Sequence, residues 1–186
     1  MTGLSRPFGS SGEDVGVNTV DEAGARLRFF LANASPTKMI SLVIDPTNKE
    51  ITPWLDAVKA TTPEIRGWMV QRFFARILAK AGYDVVVGSA LDIFARNRLR
   101  SLFVEVKSSL AGGKFGSRAE IAQLDGYLTA CERNRAERWL GIMGINKPMD
   151  LRDAFRTEIH SRNIGLIDIR WVAAKETLLP HIPSVS

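Results

Sequence analysis

In the segment LDIFARNRLRSLFVEVK, residues 91–107, an aspartate and a Glu-x-Lys triplet punctuate two apolar runs. The residues with chemistry to offer are Asp92, Glu105 and Lys107. Two carboxylates brought close repel each other unless a cation lies between them, and hard divalent ions are typically held by one or two carboxylates plus waters. A metal site is the economical reading. An ion held there would lower the pKa of a coordinated water and polarise a phosphoryl oxygen, while a neighbouring lysine orients that water or stabilises developing negative charge. That chemistry is phosphodiester hydrolysis. Taken alone, the three residues fit equally well a half-exposed hairpin carrying one cross-strand salt bridge.

The elements that must position these groups follow from pattern. Runs 91–96 and 102–107 are rich in Leu, Ile, Phe and Val, and Asn97–Arg100 separates them, which predicts a β-hairpin. Paired positions have a constant sum, so Phe94 falls opposite Phe103 and Asp92 opposite Glu105. Cross-strand Cβ atoms are about 5 Å apart and strand side chains alternate faces, so Lys107 shares the face of both acids.

Before the hairpin, Thr62-Pro63 opens a helix predicted to reach Ala81, where Gly82 stops it. Ile65, Met69, Phe73, Phe74, Ile77 and Leu78 form its apolar stripe. Glu64 and Gln71, seven residues apart, lie on nearly one azimuth at the edge of that stripe, and either reaches toward a neighbouring strand. An acid in the first turn also suits the helix dipole without any further role. Residues 83–87 read as a strand.

After the hairpin, residues 111–116 read as a flexible basic loop that lacks the order of a phosphate-binding P-loop. Ser117-Arg118-Ala119-Glu120 has the capping-box pattern and opens a helix to about Arg133. Ile121, Leu124, Leu128 and Cys131 face inward, with Gln123 and Tyr127 one turn apart on the flank. Ordinary partial burial accounts for that pair as well as a role does. Residues 138–145 read as a covered strand, 150–162 as a helix and 164–171 as a last strand, with Asp168 too far along to join the site.

The front of the chain reads as a Gly/Ser-dense disordered leader (1–18) and an N-terminal appendage of helix plus strand (19–60), which either packs on the core or serves as a homodimer surface. The main domain spans 61–175 and an irregular tail 176–186. Among 186 residues the net charge is +5 and the pI near 9.7, which favours a polyanionic partner. Between Arg96 and Arg118 there are six bases and one acid, Glu105, and such a basic rim suits a phosphate backbone. A lone cysteine excludes a disulfide framework and a thiolate cluster, and no apolar run approaches a membrane span, so an intracellular, cytoplasmic protein is expected.

The predicted order of helix, strand, hairpin, helix and strand, with Asp92 on the second strand and Glu105-Val106-Lys107 on the third, resembles the PD-(D/E)xK nuclease superfamily across about residues 62–145. Gln123-Leu124-Asp125-Gly126-Tyr127 resembles the Q-x3-Y motif of its RecB-like members, and GYDVV, LDIFA and FVEVKSS are similar to archaeal Holliday-junction resolvases. The resemblance implies an α/β, restriction-endonuclease-like αβββαβ core, with a central mixed sheet flanked by helices plus the N-terminal extension. It implies a DNA nuclease in which Asp92, Glu105 and the Val106 carbonyl bind Mg²⁺ or Mn²⁺ and Lys107 positions the attacking water. Gln123 and Tyr127 then hold the active-site strand or a DNA phosphate, with Arg96, Ser108, Lys114 and Arg118 as backbone contacts. In the resolvases a glutamate of the first helix completes the metal site. The matching position here holds Gln71, so either Glu64 substitutes or the role is absent. Leu91 stands where a proline usually precedes the aspartate, and the iron-sulfur cysteines of some RecB-like members are absent. Alternatives are a dimeric junction resolvase and a non-catalytic nucleic-acid-binding module on the same fold.

Overall fold

The computed structural model describes residues 19–33, 39–88, 92–133 and 135–171. The expected leader, the expected tail 176–186 with the residues 172–175 before it, and Leu91 lie outside these residues.

Gly24 shows how the front of the chain is built in. In α1 (Val20–Asn33), Ala23, Leu27 and Leu31 are buried against α3 (Pro63–Lys80), and a Cβ on Gly24 would lie 2.4 Å from the Lys80 Cβ. Arg28 of α1 donates to the Lys80 and Ala81 carbonyls, each at 2.9 Å, and so satisfies the carboxyl end of α3. β1 (Met39–Ile44) pairs in parallel with β8 (Gly165–Trp171), and α2 (Ile51–Ala60) stacks Trp54 on Phe73 of α3. The expected appendage therefore shares both the sheet and the core. Gly24→Ala should force α1 away from α3 and cost about 1–3 kcal/mol, read from the urea midpoint.

The six-stranded sheet has the order β1-β8-β6-β4-β3-β2, with β2 Asp84–Val87, β3 Ile93–Arg96, β4 Ser101–Ser109 and β6 Glu137–Gly144. β1, β8, β6 and β4 run parallel, and β3 is antiparallel to both β4 and β2. The sheet is thus mixed. One face carries Val104, Ile93, Ala95, Met143 and Ile167 and packs on α1, α2 and α3. The other packs on α4 (Arg118–Arg133) and α5 (Asp153–Ser161) through Leu140, Ile142, Leu166, Leu124 and Phe155. This is an α/β architecture with helices on both faces of a mixed sheet.

The hairpin has the expected register, Phe94 opposite Phe103 with ring centroids 4.9 Å apart. Asn97 builds the turn, its side chain accepting from the amides of Leu99 and Arg100. The first hairpin strand is shorter than predicted and its ladder ends at Ile93 and Val104, which leaves Asp92 one residue ahead of it.

The Gly-rich stretch is not a bare loop. Gly113–Phe115 forms β5, parallel to β7 (Met149–Leu151), in a second, two-stranded sheet. Three-residue strands show no period, and parallel pairing joins segments far apart in sequence, so neither was visible beforehand. α3 also differs from its predicted stripe, since Ile65 is half exposed and Val70 is buried instead.

Chain direction brings several termini together. α3 turns at Gly82 directly into β2, so it runs back along the sheet and its first turns lie at the carboxyl end of β4. α4 starts from the same end and returns to the beginning of β6. Asp92, β5 and the amino-terminal turns of α3 and α4 therefore lie at the same end of the sheet, the one where β4 ends.

Candidate functional site

Asp92 is held by two protein donors. The Gln71 amide nitrogen lies 2.6 Å from its Oδ1, and the Val106 backbone amide donates to its Oδ2 at 2.7 Å. Because β3 stops one residue short, the side chain takes the place of a further ladder partner for β4. A residue in an extended strand presents its N–H and C=O at the same edge, so the Val106 carbonyl also faces the Asp92 side. Glu105 and Lys107 share the opposite face of the sheet from Val106 and are joined at 2.7 Å, both partly exposed. The two acids thus hold different partners, and Asp92 does not stand in the ladder across from Glu105 as the simple hairpin predicts.

Of the two rival residues on α3, Gln71 reaches the site. Glu64 is exposed in the first turn, and its carboxylate takes hydrogen bonds from its own amide and the Thr62 hydroxyl, which lower its pKa. The Thr62 side chain makes no cap bond to the helix backbone. Glu64 lies about 10 Å further along the helix axis than Gln71, by 1.5 Å per residue.

The capping box forms as its pattern predicts. Glu120 accepts from the amides of Gly116 (2.9 Å) and Ser117 (2.6 Å), and its own amide lies 3.3 Å from the Ser117 hydroxyl oxygen. Burial pushes the Glu120 carboxyl up, but these bonds and nearby Lys107 outweigh it, so its pKa falls below the ordinary value. Glu120 is the neighbour of Lys107 that motif reading missed, since its capping role already explained it. Lys107, Ser108, Lys114 and Glu120 border a cleft of about 350 Å³. Behind it, Glu105, Lys107, Gln123 and Tyr127 line a hollow of about 30 Å³, on the scale of a water molecule or two. Arg118 is exposed at the first position of α4.

The remaining bases of the expected rim lie elsewhere. Arg96 ends β3, four residues or about 13 Å along the strand from Asp92. Arg98 lies in the turn, and Arg100 pairs with Glu137 at 2.7 Å and donates to the Leu31 carbonyl. A hairpin has two ends, and these three arginines occupy the one away from the site.

Tyr127 is buried, and its hydroxyl bridges β4 and β6. It accepts from the Trp139 amide (3.0 Å) and lies 2.6 Å from the Phe103 carbonyl and 2.8 Å from the Trp139 carbonyl, donating its single proton to one at a time. Burial drives its pKa well above the usual phenol value. It holds the strand that carries Glu105 and Lys107, and no surface remains for it to offer a phosphate. Cys131, packed beside it, is fully buried, and that burial pushes its thiol pKa to about 11. Iodoacetamide at pH 8 should therefore leave the native protein unlabelled and modify Cys131 only as fast as it unfolds, measured by intact mass.

Asp168 is buried on the face of Lys107, two strands away through Ile142. Burial raises its pKa, although Arg170 donates to its Oδ2 at 2.6 Å and opposes the rise. Among the described residues, no three His, Cys, Asp or Glu side chains are grouped to hold a metal ion, and no helix is long and apolar enough to cross a membrane. The oxygens at this end of β4 are the Asp92 and Glu105 carboxylates and the Val106 carbonyl. They are hard oxygens of the kind Mg²⁺ accepts, and that ion needs only one or two from protein.

Fold and site together describe an α/β protein with a polar cleft where its central parallel strand ends. No family model matches the sequence, and no curated protein matches it. Among solved structures the chain is similar to SfsA of Pyrococcus furiosus in complex with Ca²⁺, at 13% identity and a TM-score of 0.38. The match covers 55% of this chain and 56% of that one, so the chain spans about half the length of the protein it matches.

Proposed function

We propose that the protein is a divalent-metal-dependent DNA nuclease, acting inside the cell, on a restriction-endonuclease-like αβββαβ core formed by α3, β2, β3, β4, α4 and β6. The observation that carries this reading is the anchoring of Asp92 on the Val106 amide. It sets a carboxylate beside a backbone carbonyl at the strand end that also bears the Glu105–Lys107 pair. Asp92, Glu105 and the Val106 carbonyl would hold Mg²⁺ or Mn²⁺, which when bound supplies Lewis acidity and a water of lowered pKa. Lys107 places an ammonium in the cleft, where it offsets the negative charge that develops on a phosphoryl group. Glu105 keeps that ammonium oriented. Gln71 fixes the Asp92 rotamer, Gln123 borders the hollow beside Lys107, and Tyr127 keeps β4 in place. Ser108, Lys114 and Arg118 supply hydroxyl and cationic contacts for the phosphodiester backbone.

The test is cleavage of plasmid and end-labelled oligonucleotides with Mg²⁺ or Mn²⁺, comparing wild type with Asp92→Ala and Glu105→Ala. Wild type should cut, and both variants should lose activity by about 100-fold or more. Equal cleavage by all three would sink the proposal. One observation favours a second reading, a DNA-binding module without catalysis, because both Asp92 oxygens already have protein donors. Calorimetry would then show DNA binding without uptake of Mn²⁺.

A further inference from the structure

Trp68 sits on α3 at the site end of the sheet, where little covers it. Of the four tryptophans, Trp54, Trp139 and Trp171 pack into the core, whereas Trp68 is 51% exposed. Tryptophan is enriched at interfaces, where its large ring finds a partner to stack on. Its surroundings are specific. The Arg72 guanidinium lies over the indole, 4.3 Å from the ring centroid, so one face of the ring is covered by a cation. Trp68 is also one helical turn from Gln71, the residue bonded to Asp92, and residues so spaced have Cβ atoms about 5–6 Å apart.

The direction of α3 places this pair relative to the cleft. Counting back from Lys80, Gln71 lies level with the end of β2 and the Asp92 corner. Trp68 is about 4.5 Å further along the axis, toward and past the edge of the sheet. Lys114 and Arg118 stand at the same end on the α4 side. A strand laid across the end of β4 from these bases would therefore leave the cleft over α3, passing Trp68 and Arg72. Glu64 is the nearby acid one turn before Trp68, and its carboxylate is turned onto Thr62 and its own amide.

The chemistry of an open indole beside an arginine decides what kind of strand fits. Bases inside a duplex have both faces covered by their neighbours, so they have no face to offer. An unpaired base has one, and a sequence-tolerant platform for it is an aromatic ring combined with a cation for the adjoining phosphate. We propose that Trp68 and Arg72 form a stacking platform for an unpaired nucleobase next to the Asp92 corner, so that the bound substrate is single-stranded DNA. This inference rests on the nuclease reading for the location of the reacting phosphate, and its test does not depend on cleavage.

Binding is measured in EDTA by fluorescence anisotropy, using a labelled 20-nucleotide oligo-dT and a blunt duplex of the same length. Wild type should prefer oligo-dT. Trp68→Ala should weaken that complex by about 5- to 150-fold, the range that stacking of one base represents, and change duplex binding less than two-fold. Trp68→Phe should recover most of the loss. Wild-type indole emission should be quenched by oligo-dT, and Trp68→Phe should lose that quenching, a readout that survives even if the alanine variant folds poorly. Oligo-dT affinity unchanged in Trp68→Ala, equal losses on both DNAs, or no DNA binding by wild type would each overturn the platform. If Asp92→Ala cleaved like wild type while the Trp68 pattern held, the nuclease reading would fail and the platform would stand.

Discussion

Asp92→Asn is expected to abolish metal-stimulated cleavage while leaving the fold nearly untouched. The asparagine Oδ1 can still accept from the Val106 amide, and Gln71 can rotate its own amide to present oxygen to the new Nδ2, so both hydrogen bonds at this corner survive. What disappears is the charge. A neutral amide is a poor ligand for a hard divalent ion, and loss of one preorganised group that stabilises transition-state charge costs about 10²–10³ in rate. The melting temperature without metal should move by no more than a degree or two, and the stabilisation that wild type gains from millimolar Mn²⁺ should vanish. Gln71→Glu should act in the opposite sense. It sets a second carboxylate against Asp92 at a contact now 2.6 Å long, and two anions there repel until a cation or proton separates them. This variant should melt lower than wild type in EDTA and gain more from Mn²⁺. Metal-independent melting in wild type and both variants would mean that the corner is structural.

The contrast between Gln71 and Glu64 shows how far a sequence carries such a site. Helical period places both on one azimuth, and charge alone favours the glutamate as the ligand. What decides between them is axial position, which depends on how far α3 overhangs the sheet and hence on the Gly82 turn into β2. Register was legible where pairing is local. Asn97 fixes the turn, and the constant-sum rule then fixes Phe94 opposite Phe103. The same rule carried one residue too far predicts Asp92 in the ladder, because sequence does not reveal that β3 ends at Ile93. Parallel contacts between remote segments left no trace, as with β5 on β7 and β1 beside β8. Charge counting along the chain also misled. Six bases close in sequence divide between the two ends of a hairpin, so three of them stand clear of the cleft.

The hydroxyl of Tyr127 separates two roles that a Gln-x3-Tyr motif permits, and Tyr127→Phe should read out which one operates. The hydroxyl joins Phe103 on β4 to Trp139 on β6, between the strand that carries Glu105 and Lys107 and its parallel neighbour. Removing one oxygen leaves the Trp139 amide and the Phe103 carbonyl facing each other across a gap, in surroundings where Trp139 and Cys131 are fully buried. Each buried group left without a partner costs about 1–3 kcal/mol. For a chain of this size, 1 kcal/mol corresponds to about 2–4 °C in melting temperature, so two such groups imply a fall of about 4 °C or more. The phenol stays protonated across the working pH range, because burial holds its pKa well above the usual value. Its contribution should therefore be constant between pH 6 and 9. Well below the melting transition, cleavage should keep its KM and lose part of kcat as the Lys107 strand loosens. A residue that contacted a phosphate directly would instead raise KM and leave the melting temperature in place. That pattern would remove Tyr127 from its place between the strands and return it to the substrate.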